Sequence, residues 1–443
     1  MKNERGMGRR MFFRHTGAAV GGYFLLPARP WEVSARAAVS PIGTAKNCIF
    51  VLLSGGPSHT DTFDLKPGAW LPASFNPTRY KDLLFPQGLF PKLAEQADSL
   101  ALLRSVRAWA LVHELSREWV QIARNPASGL AKIAPHLGAV VAMELSARSE
   151  RQVLPPFVSL NAGGGPEAGY FPPEFGPFYV SPGGGGLGNT AHRDGPAAFE
   201  RRYNLLLEID AEARAGFDQA PEVQNMASYN LAARRLMYDT QVDRVFTFDA
   251  AERARYGNSG FGNACITARN LLRSNLGTRF VQITQGGWDN HTGIYTGALN
   301  PVSAASVGRQ FDAGLGTLMA DLKSDGLFDE TLIVAVGEFG RTVGTPNSQA
   351  GRDHLLQQAA LMAGARIRGG RAIGSTNAEG SATAETGWAR ARDIRPEDLD
   401  ATVYSALGIN WATVRRDDPT GRGFEYIPFA ASQDLYGPVE ELW

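Results

Sequence analysis

The stretch that decides the fold is CIFVLLSGGPSHTDTFD, which covers Cys48–Asp64. Its apolar run, Ile49–Leu53, is too short for a helix and is bounded by turn residues, which predicts a buried strand of a parallel sheet. Gly55–Pro57 turns the chain, and Asp61 and Asp64 follow at once. In open α/β sheets, ligands bind beyond the carboxyl ends of the strands. An ordinary strand-to-loop junction with a solvated turn would look the same, so this stretch alone leaves both interpretations open.

Two later stretches repeat the design. The apolar runs Arg279–Thr284 and Thr331–Val336 are each followed by glycine and then by acidic or imidazole side chains, which include Asp289, His291 and Glu338. Because the carboxyl ends of parallel strands meet at one edge of a sheet, three such junctions predict one shared polar site there.

The remaining pattern predicts an α/β fold with a mainly parallel sheet that is sandwiched by helices. Helical segments such as Ala264–Leu276 and Phe311–Leu327 precede the apolar strands, and this alternation is typical of parallel sheets. The segments Phe75–Pro91 and Gly163–Arg193 are rich in proline or glycine and are expected to be irregular. For Gly163–Arg193 we expect a surface loop, and a role in covering a substrate is the alternative.

The overall charge excludes some partners. The chain has 443 residues, with 44 Lys and Arg against 44 Asp and Glu, and its formal net charge is zero. A nucleic-acid-binding protein normally shows a basic excess. We therefore expect no nucleic-acid partner.

The first 38 residues have the pattern of an export signal. Arg9 and Arg10 precede two phenylalanines, a short apolar core over Thr16–Pro27 and small residues suited to cleavage. The paired arginines resemble a twin-arginine signal. The core is too short for a permanent membrane anchor, and no later run is long and apolar enough to span a bilayer. We expect a periplasmic or secreted protein with no integral membrane span after the signal is removed.

Cys48 and Cys265 are the two cysteines of the chain. An exported protein could pair them in a disulfide. The simpler interpretation is that both are small buried hydrophobic residues. Neither has the spacing of a thiolate zinc site.

Four motifs in order resemble a known family. They are Gly55–His59 with Asp61–Asp64, Gly287–His291, Gly337–Thr342 and Gly351–His354. The chain resembles exported bacterial proteins called "domain of unknown function 1501", which are grouped with the alkaline phosphatase and sulfatase superfamily. The resemblance implies one alkaline-phosphatase-like α/β domain over residues 45–430, with a metal site at the strand ends. The family's own reaction is not established.

The resemblance also implies ligands for a divalent metal ion. Asp61 or Asp64 falls where the superfamily has a carboxylate after the first strand. The other implied ligands are Asp289, His291, Glu338, Asp353 and His354. Mixed nitrogen and oxygen ligands suit zinc or manganese, and oxygen ligands suit calcium. The expected cofactor is therefore one of these three ions.

Two departures from the superfamily pattern affect the expected chemistry. Glu338–Phe339 stands where the superfamily commonly has Asp-His, so a second metal would lose a nitrogen ligand. Sulfatases carry a nucleophilic cysteine in the motif C-x-P-S-R, and here the similarly placed run is His113–Arg117. His113 is then a candidate ligand, general acid or nucleophile, and Arg117 a candidate for binding the anion. Arg117 could equally pair with nearby carboxylates.

Together these features predict a periplasmic metal-dependent hydrolase of phosphate or sulfate esters, with a small-molecule or saccharide ester as its substrate. The alternative is a non-catalytic exported protein of the same fold that binds polysaccharide or assists secretion.

The export prediction is tested by replacing Arg9 and Arg10 with lysine and fractionating the cells. We expect the periplasmic yield to collapse, because the twin-arginine route recognises the arginine pair. An unchanged periplasmic yield would contradict the assignment.

Overall fold

The computed structural model describes residues 39–146, 152–215, 226, 229–230, 233–234 and 236–443. The segment 1–38, for which we expect a twin-arginine signal, lies outside the described residues. Residues Pro41–Trp443 form one compact unit.

The described strands and helices have the following bounds. The strands are β1 Asn47–Leu53, β2 Pro77–Tyr80, β3 Leu83–Pro86, β4 Leu100–Arg107, β5 Phe157–Leu160, β6 Phe178–Val180, β7 Phe280–Gln285, β8 Thr331–Gly337, β9 Gly340–Arg341, β10 His354–Leu355, β11 Gln357–Gly364, β12 Arg371–Ile373, β13 Ser375–Thr376, β14 Thr383–Glu385, β15 Val414–Arg415 and β16 Phe424–Glu425. The α-helices are α1 Pro91–Ala94, α2 His113–Ile122, α3 Leu137–Leu145, α4 Pro196–Ala215, α5 Thr240–Phe246, α6 Ala250–Arg255, α7 Gly260–Ser274, α8 Val307–Ser324, α9 Pro396–Ala406 and α10 Ala430–Gln433.

The centre of the fold is an eight-stranded sheet with the order β12-β4-β11-β8-β1-β7-β5-β6. Strand β1 lies in the middle and pairs in parallel with β7 on one side and β8 on the other. Within this sheet only β11 runs antiparallel to its neighbours, β8 and β4. The predicted α/β class with a mainly parallel sheet is confirmed.

Helices cover both faces of this sheet, which explains why β1 is apolar from Cys48 to Leu53. Ile49, Val51 and Leu53 share a buried cluster with side chains of α7 and α8. On the other face, Phe50 stacks on Phe280 at 6.2 Å between ring centroids. Alternate side chains of a strand point to opposite faces, so a strand with two covered faces is apolar at nearly every position.

Two segments that were expected to be irregular contain strands. The Phe75–Pro91 segment holds the antiparallel pair β2–β3, in which Arg79 pairs with Leu84. The Gly163–Arg193 segment contributes β6, which extends the central sheet in parallel beside β5. Proline and glycine concealed both elements because β2, β3 and β6 are edge or short strands, where proline is tolerated.

The expectations for the cysteines and for membrane spans concern residues that the structure describes. Cys48 and Cys265 are buried free thiols, which confirms the interpretation as small buried hydrophobic residues. Within the described part of the chain, no helix has the length and apolar character needed to cross a membrane.

Candidate metal centre

Five chain segments meet at one edge of the central sheet. Four of them follow the carboxyl ends of β1, β4, β7 and β8, which all run in the same direction. The fifth, Gly351–His354, precedes β11, and because β11 is antiparallel its amino end lies at the same edge. The antiparallel strand therefore explains why the last motif stands before a strand and not after one.

Glycines allow these segments to touch. A Cβ atom on Gly55, whose φ is +110°, would lie 2.4 Å from the backbone nitrogen of Asp289. A Cβ atom on Gly351 would lie 1.9 Å from the carbonyl carbon of His291. Real Cβ atoms cannot approach so closely, so only glycine lets these loops pack against the backbone that carries Asp289 and His291.

The side chains of His113, Asp289, His291 and His354 form a cluster whose candidate ligand atoms all lie within 4.8 Å of one another. The Nε2 atom of His291 is 3.0 Å from Asp289 Oδ1 and 3.1 Å from His354 Nε2. The Nε2 atom of His113 is 3.4 Å from Asp289 Oδ2, and that of His354 is 3.7 Å from Asp289 Oδ1. Three imidazoles and one carboxylate thus face a common centre.

The opposite nitrogen of each imidazole contacts an oxygen acceptor. His291 Nδ1 is 2.9 Å from Asp353 Oδ1, and His354 Nδ1 is 2.8 Å from the carbonyl oxygen of Leu111. His113 Nδ1 contacts Glu338 Oε1. Histidines that bind metals usually donate the N–H of the non-ligating nitrogen to a carboxylate or a carbonyl, which fixes the tautomer and the ring.

These contacts provide a test of whether a metal fits. A carbonyl and an ionised carboxylate only accept hydrogen bonds, so Nδ1 of His354 and of His291 carries the proton. In the neutral rings both Nε2 atoms then present lone pairs across 3.1 Å, and the Nη1 atom of Arg341 lies 3.3 Å from the Nε2 atom of His291. Two ligands on a tetrahedral zinc ion lie about 3.3 Å apart, given Zn–N bonds of about 2.0–2.1 Å. A cation between the rings would accept both lone pairs and take the place of the Arg341 N–H at His291 Nε2. The donor set therefore fits an ion.

Arg341 hydrogen-bonds to Asp289 of the cluster and to the backbone of the surrounding segments. Its Nη2 atom is 2.5 Å from Asp289 Oδ1 and also contacts the carbonyl of Gly55. Its Nε and Nη1 donate to the carbonyls of Gly56 and Arg352 at 2.9 and 3.0 Å. One buried guanidinium therefore joins the loops after β1 and β7 to the segment before β11.

Glu338 and Phe339 lie beside the cluster. Besides its contact with His113, the buried Glu338 Oε1 accepts a hydrogen bond from the Gly55 backbone nitrogen at 3.2 Å. The Phe339 ring is 4.9 Å from the His113 ring and 4.4 Å from the His354 ring, measured between centroids. Glu338 therefore orients His113, and Phe339 gives the two imidazoles an apolar wall.

The surroundings of the cluster lower the pKa values of Asp289 and His354. Burial raises the pKa of Asp289, but the hydrogen bond and charge of Arg341 outweigh it and hold the pKa below its usual value. Burial lowers the pKa of His354, and the positive charge of Arg341 lowers it further. Burial raises the pKa of Glu338, against the opposing effect of His113. An ionised carboxylate and a neutral imidazole are the forms that bind a metal.

Asp61 and Asp64, the two carboxylates after β1, are not part of the cluster and contact other side chains. Asp61 Oδ2 is 2.7 Å from Arg352 Nε, and both side chains are fully buried. Tyr295 donates to Asp61 Oδ1 at 2.9 Å. Asp64 contacts Thr376 Oγ1 and lies 3.3 Å from Lys66 Nζ.

Asp353 and Arg117 also lie next to the cluster without joining it. Asp353 is exposed and contacts the cluster through His291; that hydrogen bond lowers the pKa of its carboxyl. Arg117 lies one helical turn after His113 on α2, and its charge acts on Glu338.

Two residues that the sequence did not single out have central positions. Arg341 and Arg352 lie inside the recognised motifs, but a lone arginine in a motif normally indicates a solvated charge. Both are fully buried here, and a buried arginine must find acceptors for its N–H groups. The signal that could have found them is their place, directly beside glycines in segments that follow or precede buried strands.

The Asp61–Arg352 pair gives a prediction that separates a structural from a ligating carboxylate. Replacing Asp61 with Asn leaves a buried guanidinium without its counter-charge, so we expect a loss of about 3–5 kcal/mol in unfolding free energy. Bound metal per folded chain should remain at the wild-type level. Chemical denaturation and metal analysis measure the two quantities.

The matched control for this variant is Asp98→Asn. Asp98 pairs with Lys81 2.6 Å away on the surface, where its side chain is 80% exposed, so the loss should stay below about 1 kcal/mol. A fall in bound metal for folded Asp61→Asn that equals the fall for Asp289→Asn would instead make Asp61 a ligand.

Three solved structures show low similarity to the whole chain. A sulfatase from Pseudoalteromonas sp. is 13% identical, with 84% of this chain and 68% of that chain covered and a TM-score of 0.38. A phosphonate monoester hydrolase from Silicibacter pomeroyi is 12% identical, with 87% of this chain and 76% of that chain covered and a TM-score of 0.37. An alkaline phosphatase superfamily protein from Vibrio parahaemolyticus is 11% identical, with 84% of this chain and 69% of that chain covered and a TM-score of 0.38.

Sequence comparison gives the family directly. No curated protein sequence matches the chain. A family model matches residues 45–424, which is most of its length. The chain therefore belongs to the family described as "Protein of unknown function (DUF1501)".

Proposed function

We propose that this protein is an exported, periplasmic metal-dependent hydrolase of phosphate or sulfate esters. The observation that carries the proposal is the convergence of three Nε2 atoms on Asp289 while all three Nδ1 atoms contact oxygen acceptors. Oriented imidazoles with a common centre are the design of a metal site.

In this proposal one ion is held by His113, Asp289, His291 and His354. Three nitrogens and one oxygen suit zinc, or manganese as a second choice. Calcium prefers six to eight oxygen ligands, so this donor set disfavours it. Such an ion polarises an ester oxygen and lowers the pKa of water.

In this proposal Glu338 and Asp353 orient the ligands and do not bind the ion. Glu338 fixes His113 at the start of α2, and Asp353 fixes His291. Carboxylate partners of this kind also make the imidazole a stronger ligand. For Asp61 and Asp64 we propose a structural role, because Asp61 pairs with the Arg352 side chain and Asp64 with the Lys66 side chain.

Arg117 is the proposed anion-binding residue. It lies four positions after His113 on α2, so it faces the same side of the helix about 6 Å further along. A guanidinium binds phosphate or sulfate oxygens through two parallel hydrogen bonds. The start of α2 adds the positive end of a helix dipole. The chain thus places a fixed positive charge beside the cluster for an anionic ester.

A specific observation favours the second candidate, a non-catalytic protein that binds polysaccharide or assists secretion. Phe339 fills the space beside His113 and His354, where the superfamily commonly has a histidine. The described residues therefore offer ligands for one ion at this edge.

The experiment measures bound metal and turnover on the purified mature protein. We expect about one zinc ion per chain and hydrolysis of p-nitrophenyl phosphate or sulfate that is lost with a chelator and restored by zinc. His113→Ala should abolish turnover and reduce metal. Glu338→Gln should reduce turnover by about 10- to 100-fold, because it releases the orientation of His113.

The matched control is His192→Ala, because His192 lies outside the cluster and pairs with Asp194 and Arg202. It should leave both readouts unchanged. Metal-loaded protein that turns over neither ester would favour the second candidate. Wild-type protein that is purified without chelator and carries no metal would refute the proposed site.

A further inference from the structure

A second feature at the same edge of the sheet is a large open pocket, which we call the α2 pocket. It has a volume of about 630 Å³, and the polar residues that line it are Ser54, Glu114, Arg117, Glu118, Gln121, Gln282 and Thr284. None of the four cluster residues lines it. The pocket therefore extends the candidate centre and does not coincide with it.

The α2 helix connects the α2 pocket to the cluster. His113 is the first residue of α2, and the wall of the pocket begins at Glu114 and Arg117 on the same helix. Four residues of α-helix rise about 6 Å. An ester group beside His113 would therefore extend its alcohol part along α2 into the pocket.

The charged side chains of the pocket are available for a ligand. Within the part of the chain that the structure describes, the carboxylates of Glu114 and Glu118 and the guanidinium of Arg117 have no hydrogen-bond or salt-bridge partner. Their formal charges give a net charge of about −1 at neutral pH. This wall therefore offers both acceptors and donors, but it repels a second anionic group.

A buried amide forms one wall of the α2 pocket. Gln282 is 3% exposed, and its Nε2 donates to Gln121 Oε1 at 3.0 Å. Its Nε2 atom also lies 3.4 Å from Thr284 Oγ1. Its buried oxygen interacts with the His136 side chain, and this hydrogen bond opposes the lowering of the His136 pKa by burial. The Gln282 amide is therefore held in place by its neighbours and gives the pocket a fixed polar wall.

The opposite wall of the pocket is formed by glycines and leaves open space. Gly163–Gly165 line the pocket, and a Cβ atom on Gly163 or Gly164 would have no neighbour within 4 Å. No aromatic side chain lines the pocket among the described residues. A flat aromatic alcohol would find no ring to stack on, whereas hydroxyl groups would find carboxylate, amide and hydroxyl partners.

We propose that the α2 pocket binds the alcohol part of the ester, and that this alcohol is a neutral polyhydroxy compound, a sugar or a polyol. The inference rests on the proposed function and specifies its substrate class. Glu114 and Glu118 accept hydrogen bonds from its hydroxyl groups, while Arg117 faces the ester group. Polyanionic saccharides and simple aryl alcohols are poor fits.

The test compares the 6-phosphates and 6-sulfates of glucose, galactose and mannose, and glycerol 1-phosphate, with p-nitrophenyl phosphate and sulfate. We expect the best polyol ester to exceed the better aryl ester at least tenfold in kcat/KM. Glu118→Gln should raise KM for that polyol ester about tenfold, since the hydrogen bond loses its charged acceptor and with it much of its strength. It should change the aryl ester less than twofold, with metal content unchanged.

Glu208→Gln is the matched control, because Glu208 is exposed on α4, and it should change neither ester. An aryl ester as the best substrate, or an equal effect of Glu118→Gln on both ester classes, would overturn the inference.

A direct binding measurement separates this inference from the proposed function. Saturation-transfer NMR with methyl glycosides of the three hexoses should detect binding by the wild-type protein and its loss in Glu118→Gln. If the protein hydrolyses no ester, the hydrolase proposal fails. In that case, glycoside binding that depends on Glu118 would still support the pocket, and its absence would overturn it.

Discussion

The candidate centre depends on one buried guanidinium. Arg341 reaches the backbone carbonyls of Gly55, Gly56 and Arg352 and the carboxylate of Asp289. Burial lowers the pKa of this arginine, but an arginine remains charged at any physiological pH. Its N–H groups must therefore find acceptors. Three segments that are far apart in the sequence supply these acceptors, and the hydrogen bonds hold the segments together.

The same constraint limits the chemistry of the edge. Arg341 balances the negative charge of Asp289. The three imidazoles supply nitrogen ligands and add no negative charge to the site. The buried Asp61–Arg352 pair then fixes the segment that carries His354 from the opposite side. With Phe339 packed on two of the histidine rings, this arrangement suits a single nitrogen-bound ion with an open approach along α2.

The sequence predicted the sheet more fully than the centre. Apolar runs with glycine at their ends are local signals, so β1, β7 and β8 could be predicted directly from the sequence. Which carboxylates face the cluster depends on contacts between distant loops. Asp61 and Asp289 look alike in the sequence, but a buried arginine 291 positions away pairs with Asp61. Such pairing is a tertiary property that spacing does not contain.

The most direct measurement of this account is anomalous diffraction at the zinc absorption edge on crystals of the mature protein grown with zinc. The account predicts one strong peak at about 2.0–2.1 Å from the Nε2 atoms of His113, His291 and His354, with an Asp289 oxygen as the fourth ligand. A peak on Asp61 or Asp64, or a metal-free cluster in zinc-saturated crystals, would contradict it.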